Sequence, residues 1–173
     1  DLIPANRAEA YFVQDQMHAK LGLELAGWKV GATSPTMREI DGHEDVIPGR
    51  IFSVRTYLGT RHSLPIAQFL NARAETEFAF RLTQTPALRE TPWTASEMAA
   101  IMVLHPAIEI VGNRFRIDAA SKAENSLLTV ADNGGGIGFV FGDPVDDWQD
   151  IDFQNHLITL CVSDGPAAQN FLG

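Results

Sequence analysis

Ala74-Glu75-Thr76-Glu77-Phe78-Ala79-Phe80-Arg81-Leu82 decides how this 173-residue chain is read. Side chains alternate across a strand, so Thr76, Phe78, Phe80 and Leu82 share one face and Glu75 and Glu77 the other. The apolar row predicts a strand over residues 74–83 with that row on the core. The same register makes the two carboxylates neighbours on the opposite face. Like charges that close repel unless one takes a proton or a cation lies between them. A divalent metal ion is the natural answer.

A third carboxylate lies downstream. Glu109 interrupts the apolar run Pro106-Ala107-Ile108-Glu109-Ile110-Val111, where an uncompensated charge is costly. With the flanking isoleucines on the other face, Glu109 is expected to project into the same cleft as Glu75 and Glu77. No histidine or thiolate accompanies them, so the donors are all hard oxygens, which favours Mg²⁺ or Mn²⁺ over Zn²⁺. A six-coordinate ion held by three protein oxygens keeps about three positions for water or a chelating substrate. Pairing with Arg73, Arg81 or Arg114 is the competing explanation, and pattern alone leaves both open. Lys29, in Gly27-Trp28-Lys29-Val30-Gly31, is one of three lysines in the chain. Partial burial beside a cation favours a neutral amine, a usable proton carrier. A lysine stem crossing apolar surface with its amine in water is the plainer alternative.

Bulk properties narrow the class. The length suits one domain, 1–173, with a helical segment over 1–26 and a β-rich body over 27–173. At 45% hydrophobic and 20% charged residues the chain is globular in type. A formal charge of -9 argues against nucleic acid or an anionic membrane as partner. Cys161 is the single cysteine; it reads as a small residue in a buried strand, and a chain without disulfides suits a reducing cytoplasm. No secretory leader or membrane-length apolar run is evident. A start at Asp1 and an end just after a turn signal fit a piece of a longer protein, lacking its last strands. Gly134-Gly135-Gly136 lacks the lysine of a phosphate loop and precedes a strand, so it reads as a tight turn or a close backbone approach. His43 reads as a solvated loop residue rather than a base.

The remaining elements follow from local signals. Residues 6–22 form an amphipathic pattern with Asn6 as N-cap and Tyr11, Phe12, Met17 and Leu21 on the buried side. Strands are predicted at 28–32, 51–58, 107–111, 137–141 and 153–163, and a short helical turn after Pro35. Residues 43–50 read as a polar loop turning at Pro48-Gly49. Thr94 and Glu97 form capping-box spacing for a helix to about Leu104, stopped by His105-Pro106; Ser121 and Glu124 do so for a helix over 121–130. Residues 132–136 read as a loop and Asp164-Gly165-Pro166 as a turn. The fold class expected is a single strand-rich α+β domain.

Gly27-Trp28-Lys29-Val30-Gly31, Glu75-x-Glu77, Pro106-Ala107-Ile108-Glu109-Ile110-Val111 and Val130-Ala131-Asp132-Asn133 occur in this order, and together they resemble the 2-keto-4-pentenoate hydratases of the fumarylacetoacetate hydrolase superfamily. The resemblance runs from Ala10 to Gly142. It implies a β-rich roll or sandwich with a few flanking helices, with Mg²⁺ or Mn²⁺ on Glu75, Glu77 and Glu109 and a catalytic Lys29. The implied reaction is hydration of a short 2-hydroxy-dienoic or 2-oxo-enoic acid in the breakdown of aromatic-derived compounds, by a cytoplasmic homodimer or larger homo-oligomer. Decarboxylation and C–C bond hydrolysis of related oxo-acids occur in the same superfamily, and a diverged paralogue acting only as a binding protein is the alternative from another class. Ile47 stands where the hydratases often carry an aspartate, so Glu44 or Asp45 is expected to partner Lys29. Thr33, Ser34, Arg114, Asp132 and Asn133 are the expected substrate contacts.

Overall fold

The computed structural model describes residues 3–116, 121–161 and 169–172. Its elements run α1 (Arg7–Leu21), β1 (Leu25–Gly31), α2 (Pro35–Asp41), β2 (Ile47–Phe52), β3 (Thr56–Leu58), β4 (Arg73–Leu82), α3 (Ala95–Ala99), β5 (Met102–Val111), α4 (Lys122–Ala131), β6 (Gly136–Phe141), β7 (Leu157–Leu160) and β8 (Gln169–Leu172). The fold is mixed α+β. β1 pairs with β2, β7 pairs with β8, and a four-stranded sheet has the order β3-β6-β5-β4. By contacts the chain divides into two units, Asp1–Glu75 with Glu109–Val140 and Thr76–Ile108 with Phe141–Gly173.

In the first unit, Asn6 caps α1 by accepting from the Glu9 amide at 3.0 Å, and Gly22 ends it in the left-handed region at φ 59°. The buried face of α1 is not the predicted one. Phe12 is 60% exposed and Leu21 is exposed, while Tyr11 and Met17 are half-buried. Ala10 and Gln14 are buried instead, and Ala10 joins Ile47 of β2 and Val130 of α4 in the core, flanked by Tyr11, Leu127 and Ala131. A small residue at position 10 leaves room for α4 to pack against α1. Gln14 is tolerated there because its amide is satisfied. It donates to the Val130 carbonyl at 2.9 Å and the Pro48 carbonyl at 3.3 Å, and accepts from Arg50 at 2.8 Å.

The Pro48-Gly49 turn predicted from sequence is absent. Both residues lie in β2, antiparallel to β1, with Gly49 opposite Lys29 and Pro48 opposite Val30. Gly49 is required by proximity rather than by a turn: a Cβ there would lie 2.3 Å from the Asn133 carbonyl oxygen. The strand predicted over 51–58 is broken by a 3-10 turn at Ser53–Arg55, which separates β2 from β3.

In the second unit, Thr94 and Glu97 form the capping box, yet α3 stops at Ala99. Residues 102–104 instead extend β5, which carries His105-Pro106 within it. Proline biases its predecessor toward extended backbone, so the pair is compatible with a strand. The Gly142 amide donates to the Pro106 carbonyl at 2.8 Å, and His105 Nδ1 bonds the Gly142 carbonyl at 2.9 Å. β4 follows its predicted span, but its apolar row is less buried than expected. Ala79, on the glutamate face, is buried, while Phe80 is 41% exposed and Leu82 is exposed. Phe78 lies edge-on to Phe153 at 4.8 Å, and Phe80 to Trp148 at 5.2 Å. The predicted strand over 153–163 contracts to β7, and Cys161 is exposed after its end rather than buried within it. The turn expected at 164–166 lies outside the described residues.

Candidate metal centre

Alternation along β4 puts Glu75 and Glu77 on one face, and β5 supplies Glu109. One carboxylate oxygen from each lies within 4.8 Å of the others. Glu75 is exposed, Glu77 half-buried and Glu109 only 3% exposed. Glu109 shares the buried face of β5 with Ala107 and Val111, while Ile108 and Ile110 are half-buried. A carboxylate so desolvated needs compensation. Lys29 supplies part of it: Nζ lies 3.4 Å from Glu109 Oε2, with the two side chains 8% and 3% exposed.

The local backbone holds this amine in place. β1 carries Lys29 opposite Gly49, and Nζ donates to the Gly134 carbonyl at 3.0 Å. The three-glycine run is the predicted tight turn, a 3-10 turn at Asn133–Gly135 with Gly134 at φ 64°. Gly136 lets Glu109 approach, since a Cβ there would sit 2.7 Å from Glu109 Oε1. Asn133 staples the turn to β2. It is 1% exposed, accepts from the Arg50 amide at 2.7 Å and donates to the Arg50 carbonyl at 2.9 Å.

Two of the three arginines weighed as partners have contacts elsewhere. Arg114 forms an ion pair with Asp132, and Arg81 Nε donates to His105 Nε2 at 3.4 Å. Three carboxylates with one ammonium leave two net negative charges among the four groups. That balance, and the all-oxygen donor set, fit a hard divalent cation.

The other expected site residues are placed as follows. Ser34 caps α2, accepting from the Met37 amide at 3.4 Å, and the Thr33 carbonyl accepts from Arg38 at 3.2 Å. Glu44 and Asp45 are exposed, and Asp45 Oδ1 accepts from the adjacent Val46 amide. Asp132 binds Arg114 through its side chain and accepts the Arg114 amide at 2.9 Å. Burial raises the Asp132 pKa, against the lowering effect of Arg114. His43 differs from the sequence reading. It is half-buried, with Nδ1 2.7 Å from the Ser126 hydroxyl. Burial lowers its pKa foremost; Arg7 and Lys29 lower it further while Asp41 opposes them.

A cavity beside Glu109 is lined by Ile51, Phe52, Arg55, Gly136 and Gly138. Sequence reasoning missed Arg55, which has no motif around it. Gln14 was equally invisible, because a polar residue inside a helical pattern signals nothing until its partners are known.

No protein-family model matches the chain, and no curated protein matches it in sequence. Several solved structures share its fold, two of them of one enzyme. One is the 4-oxalocrotonate decarboxylase of Pseudomonas putida G7 complexed with magnesium and adipate, with a TM-score of 0.68 at 20% identity; the other is the same enzyme with calcium and acetate, at 0.65 and 21%. Each match covers 87% of this chain, which spans 56% and 55% of the respective decarboxylase chains. Among the described residues, no helix is long and apolar enough to cross a membrane.

Proposed function

We propose that this chain belongs to a divalent-metal enzyme of the fumarylacetoacetate hydrolase superfamily that acts on a short 2-oxo or 2-hydroxy-dienoic acid. One observation carries the reading: the approach of three carboxylates within 4.8 Å, the most buried of them paired with Lys29. Glu75, Glu77 and Glu109 would hold Mg²⁺ or Mn²⁺. An ion bound there would supply stabilisation of negative charge developing on the oxygen of a 2-oxo acid.

The chain's own groups do the rest. Lys29 Nζ, held by the Gly134 carbonyl and Glu109, is the atom that would carry a proton to or from the substrate as the dienol and the unsaturated ketone interconvert. Burial of Glu109 limits competing water around the charge pair. Glu44 or Asp45 remains the proposed acid-base partner of Lys29, and Thr33, Ser34, Arg114, Asp132 and Asn133 the proposed substrate contacts.

Hydration, with water added to the distal carbon of the dienoate, is the first reading; it rests on the ordered motifs around Lys29 and the three glutamates. Decarboxylation of a related oxo-acid is the second, favoured by the shared fold with the two decarboxylase structures. Both demand stabilisation of an enolate at C2. The proposal includes a cytoplasmic homo-oligomer in the breakdown of aromatic-derived compounds. Incubation of 2-hydroxypenta-2,4-dienoate with the chain and Mg²⁺ tests the activity. The expected result is loss of the dienol's ultraviolet absorbance with a product 18 mass units heavier than the substrate, the added water of a hydration. Release of carbon dioxide from 2-oxohex-3-enedioate instead selects the decarboxylase reading. Inertness toward both acids at every Mg²⁺ and Mn²⁺ concentration contradicts the enzyme reading.

A further inference from the structure

We propose that Gly31 is a positioning residue: the absence of a side chain there lets the Lys29 amine sit between the Gly134 carbonyl and Glu109, where it would move a proton. The proton-moving role rests on the proposed activity. The placement of the amine rests on geometry alone.

Lys29 and Gly31 are two residues apart in β1, opposite Gly49 and Ile47 of β2, so they share one face of the strand pair. The Lys29 side chain bends along that face toward position 31. A Cβ built on Gly31 would lie 2.9 Å from Lys29 Nζ. That is inside van der Waals contact, so the amine in its present place and a side chain at 31 exclude each other.

Three other glycines touch the lysine stem. A Cβ would lie 3.1 Å from Lys29 Cδ at Gly49, 3.5 Å from Nζ at Gly134 and 3.6 Å from Cε at Gly136. Each of these has a further reason to be glycine. Gly49 faces the Asn133 carbonyl oxygen at 2.3 Å, Gly134 has φ 64°, and Gly136 faces Glu109 Oε1 at 2.7 Å. Gly31 has no such reason among the described residues. It is not one of the positive-φ residues, and the next atom its Cβ would meet is the Ile47 carbonyl oxygen, in ordinary contact at 3.8 Å. Glycine in a strand gives up chain entropy and packing, and is favoured where another group must approach closely. At position 31 that group is the amine.

Nζ is the far end of a flexible side chain, so a methyl at 31 moves the amine and not the backbone. The amine would leave the Gly134 carbonyl at 3.0 Å and Glu109 Oε2 at 3.4 Å. The three carboxylates stay where they are. Gly31→Ala therefore displaces the proton carrier and spares the metal donors.

A double-mutant cycle in metal-free buffer tests the placement, by thermal unfolding of the wild type, Gly31→Ala, Lys29→Met and the double variant. Methionine stops short of the Nζ position and leaves room for the methyl. Gly31→Ala is expected to lower the melting temperature of the wild type. In Lys29→Met it should leave the melting temperature unchanged or raise it by about 1–4 °C, the gain from a stiffer unfolded chain. A single variant that does not fold beside a double variant that does is the same coupling at its limit. An equal shift in both backgrounds, failure to fold in both included, overturns the proposal. Turnover in saturating Mg²⁺ reads the consequence, with 2-hydroxypenta-2,4-dienoate or 2-oxohex-3-enedioate, whichever the wild type accepts. In Gly31→Ala kcat should fall about 100-fold, the scale for a group misplaced by an ångström, with KM little changed. An unchanged kcat also overturns the proposal. A wild type inert toward both acids sinks the enzyme reading, and the cycle then decides by itself whether Gly31 places the amine.

Discussion

The Lys29–Glu109 pair is the tightest constraint at the scale of single residues, with both side chains under 10% exposed. Removing one partner of a buried pair leaves the other desolvated and uncompensated, at about 3–5 kcal/mol. Lys29→Met should therefore destabilise the metal-free chain by about that amount in a denaturant titration. Mg²⁺ should raise its melting temperature by more than it raises that of the wild type, since the cation then takes over the role of the ammonium. An unchanged midpoint would separate Lys29 from the charge balance of the cluster. Gly136→Ala presses on the same carboxylate, because its Cβ would sit 2.7 Å from Glu109 Oε1. The expected outcome is weaker Mn²⁺ binding with native secondary structure retained, read by calorimetry and circular dichroism.

His43 gives a pH signature at this scale. Its folded-state pKa is lowered from 6.5, foremost by burial. The unfolded chain therefore takes up this proton first as the pH falls, and stability is lost below about pH 6.5 until the folded-state histidine also protonates. Above 6.5 the group contributes no slope. His43→Gln should flatten that part of the stability-pH curve, measured by urea unfolding between pH 5 and 8 at steps of about half a unit.

Among the secondary-structure elements, what was legible in sequence was whatever local chemistry decides. Asn6 and Gly22 bound α1, Thr94 and Ser121 open α3 and α4 through capping boxes, and the Glu75-x-Glu77 alternation gives β4 its span. What was misread was decided by partners distant in sequence. Pro48-Gly49 is a strong turn signal, but pairing with Val30 and Lys29 makes it strand, and the glycine answers to the approach of Asn133. His105-Pro106 reads as a helix stop, yet bonds to Gly142 extend β5 through it. The α1 face was misjudged because Ala10 and Gln14 are selected by α4 and β2, which no helical period encodes. Gly49→Ala forces a methyl against a backbone oxygen 2.3 Å away, and should destabilise by about 1–3 kcal/mol, with loss of the proposed metal-dependent activity as Lys29 shifts. The capping box of α3 makes a contrasting prediction. The Arg89 hydrogen bond, with the Thr94 amide and hydroxyl, lowers the Glu97 pKa to about 2. Its contribution is fully present above about pH 4.5 and is lost as the pH falls toward 2. Glu97→Gln should flatten that acid limb and leave the neutral range without added slope.

For the molecule as a whole, the carboxylate cluster was legible in outline because its members are charges in apolar strands. Glu75, Glu77, Glu109 and Lys29 do come together. Arg55 and the cavity were not legible, since they depend on which wall a 3-10 turn and Phe69 form. The shared fold with the decarboxylase structures extends over 87% of the chain. Trp28 and Val30, two residues apart on one face of β1, are 53% and 51% exposed, and Met37 and Ile40 of α2 are also exposed. Apolar surface of this kind marks association sites, in line with the proposed homo-oligomer. Sedimentation should give a mass of at least twice 18.9 kDa, and Trp28→Glu should lower it; a wild type that sediments as a monomer would contradict the oligomer.

Calorimetric titration of Mn²⁺ into the chain and into Glu109→Gln tests the central claim most directly. The account predicts one Mn²⁺ bound per chain by the wild type, competed by Mg²⁺, and at least a tenfold loss of affinity in Glu109→Gln, or about 1.4 kcal/mol or more. Wild-type and variant isotherms that coincide, or heat no greater than dilution in both, would contradict it.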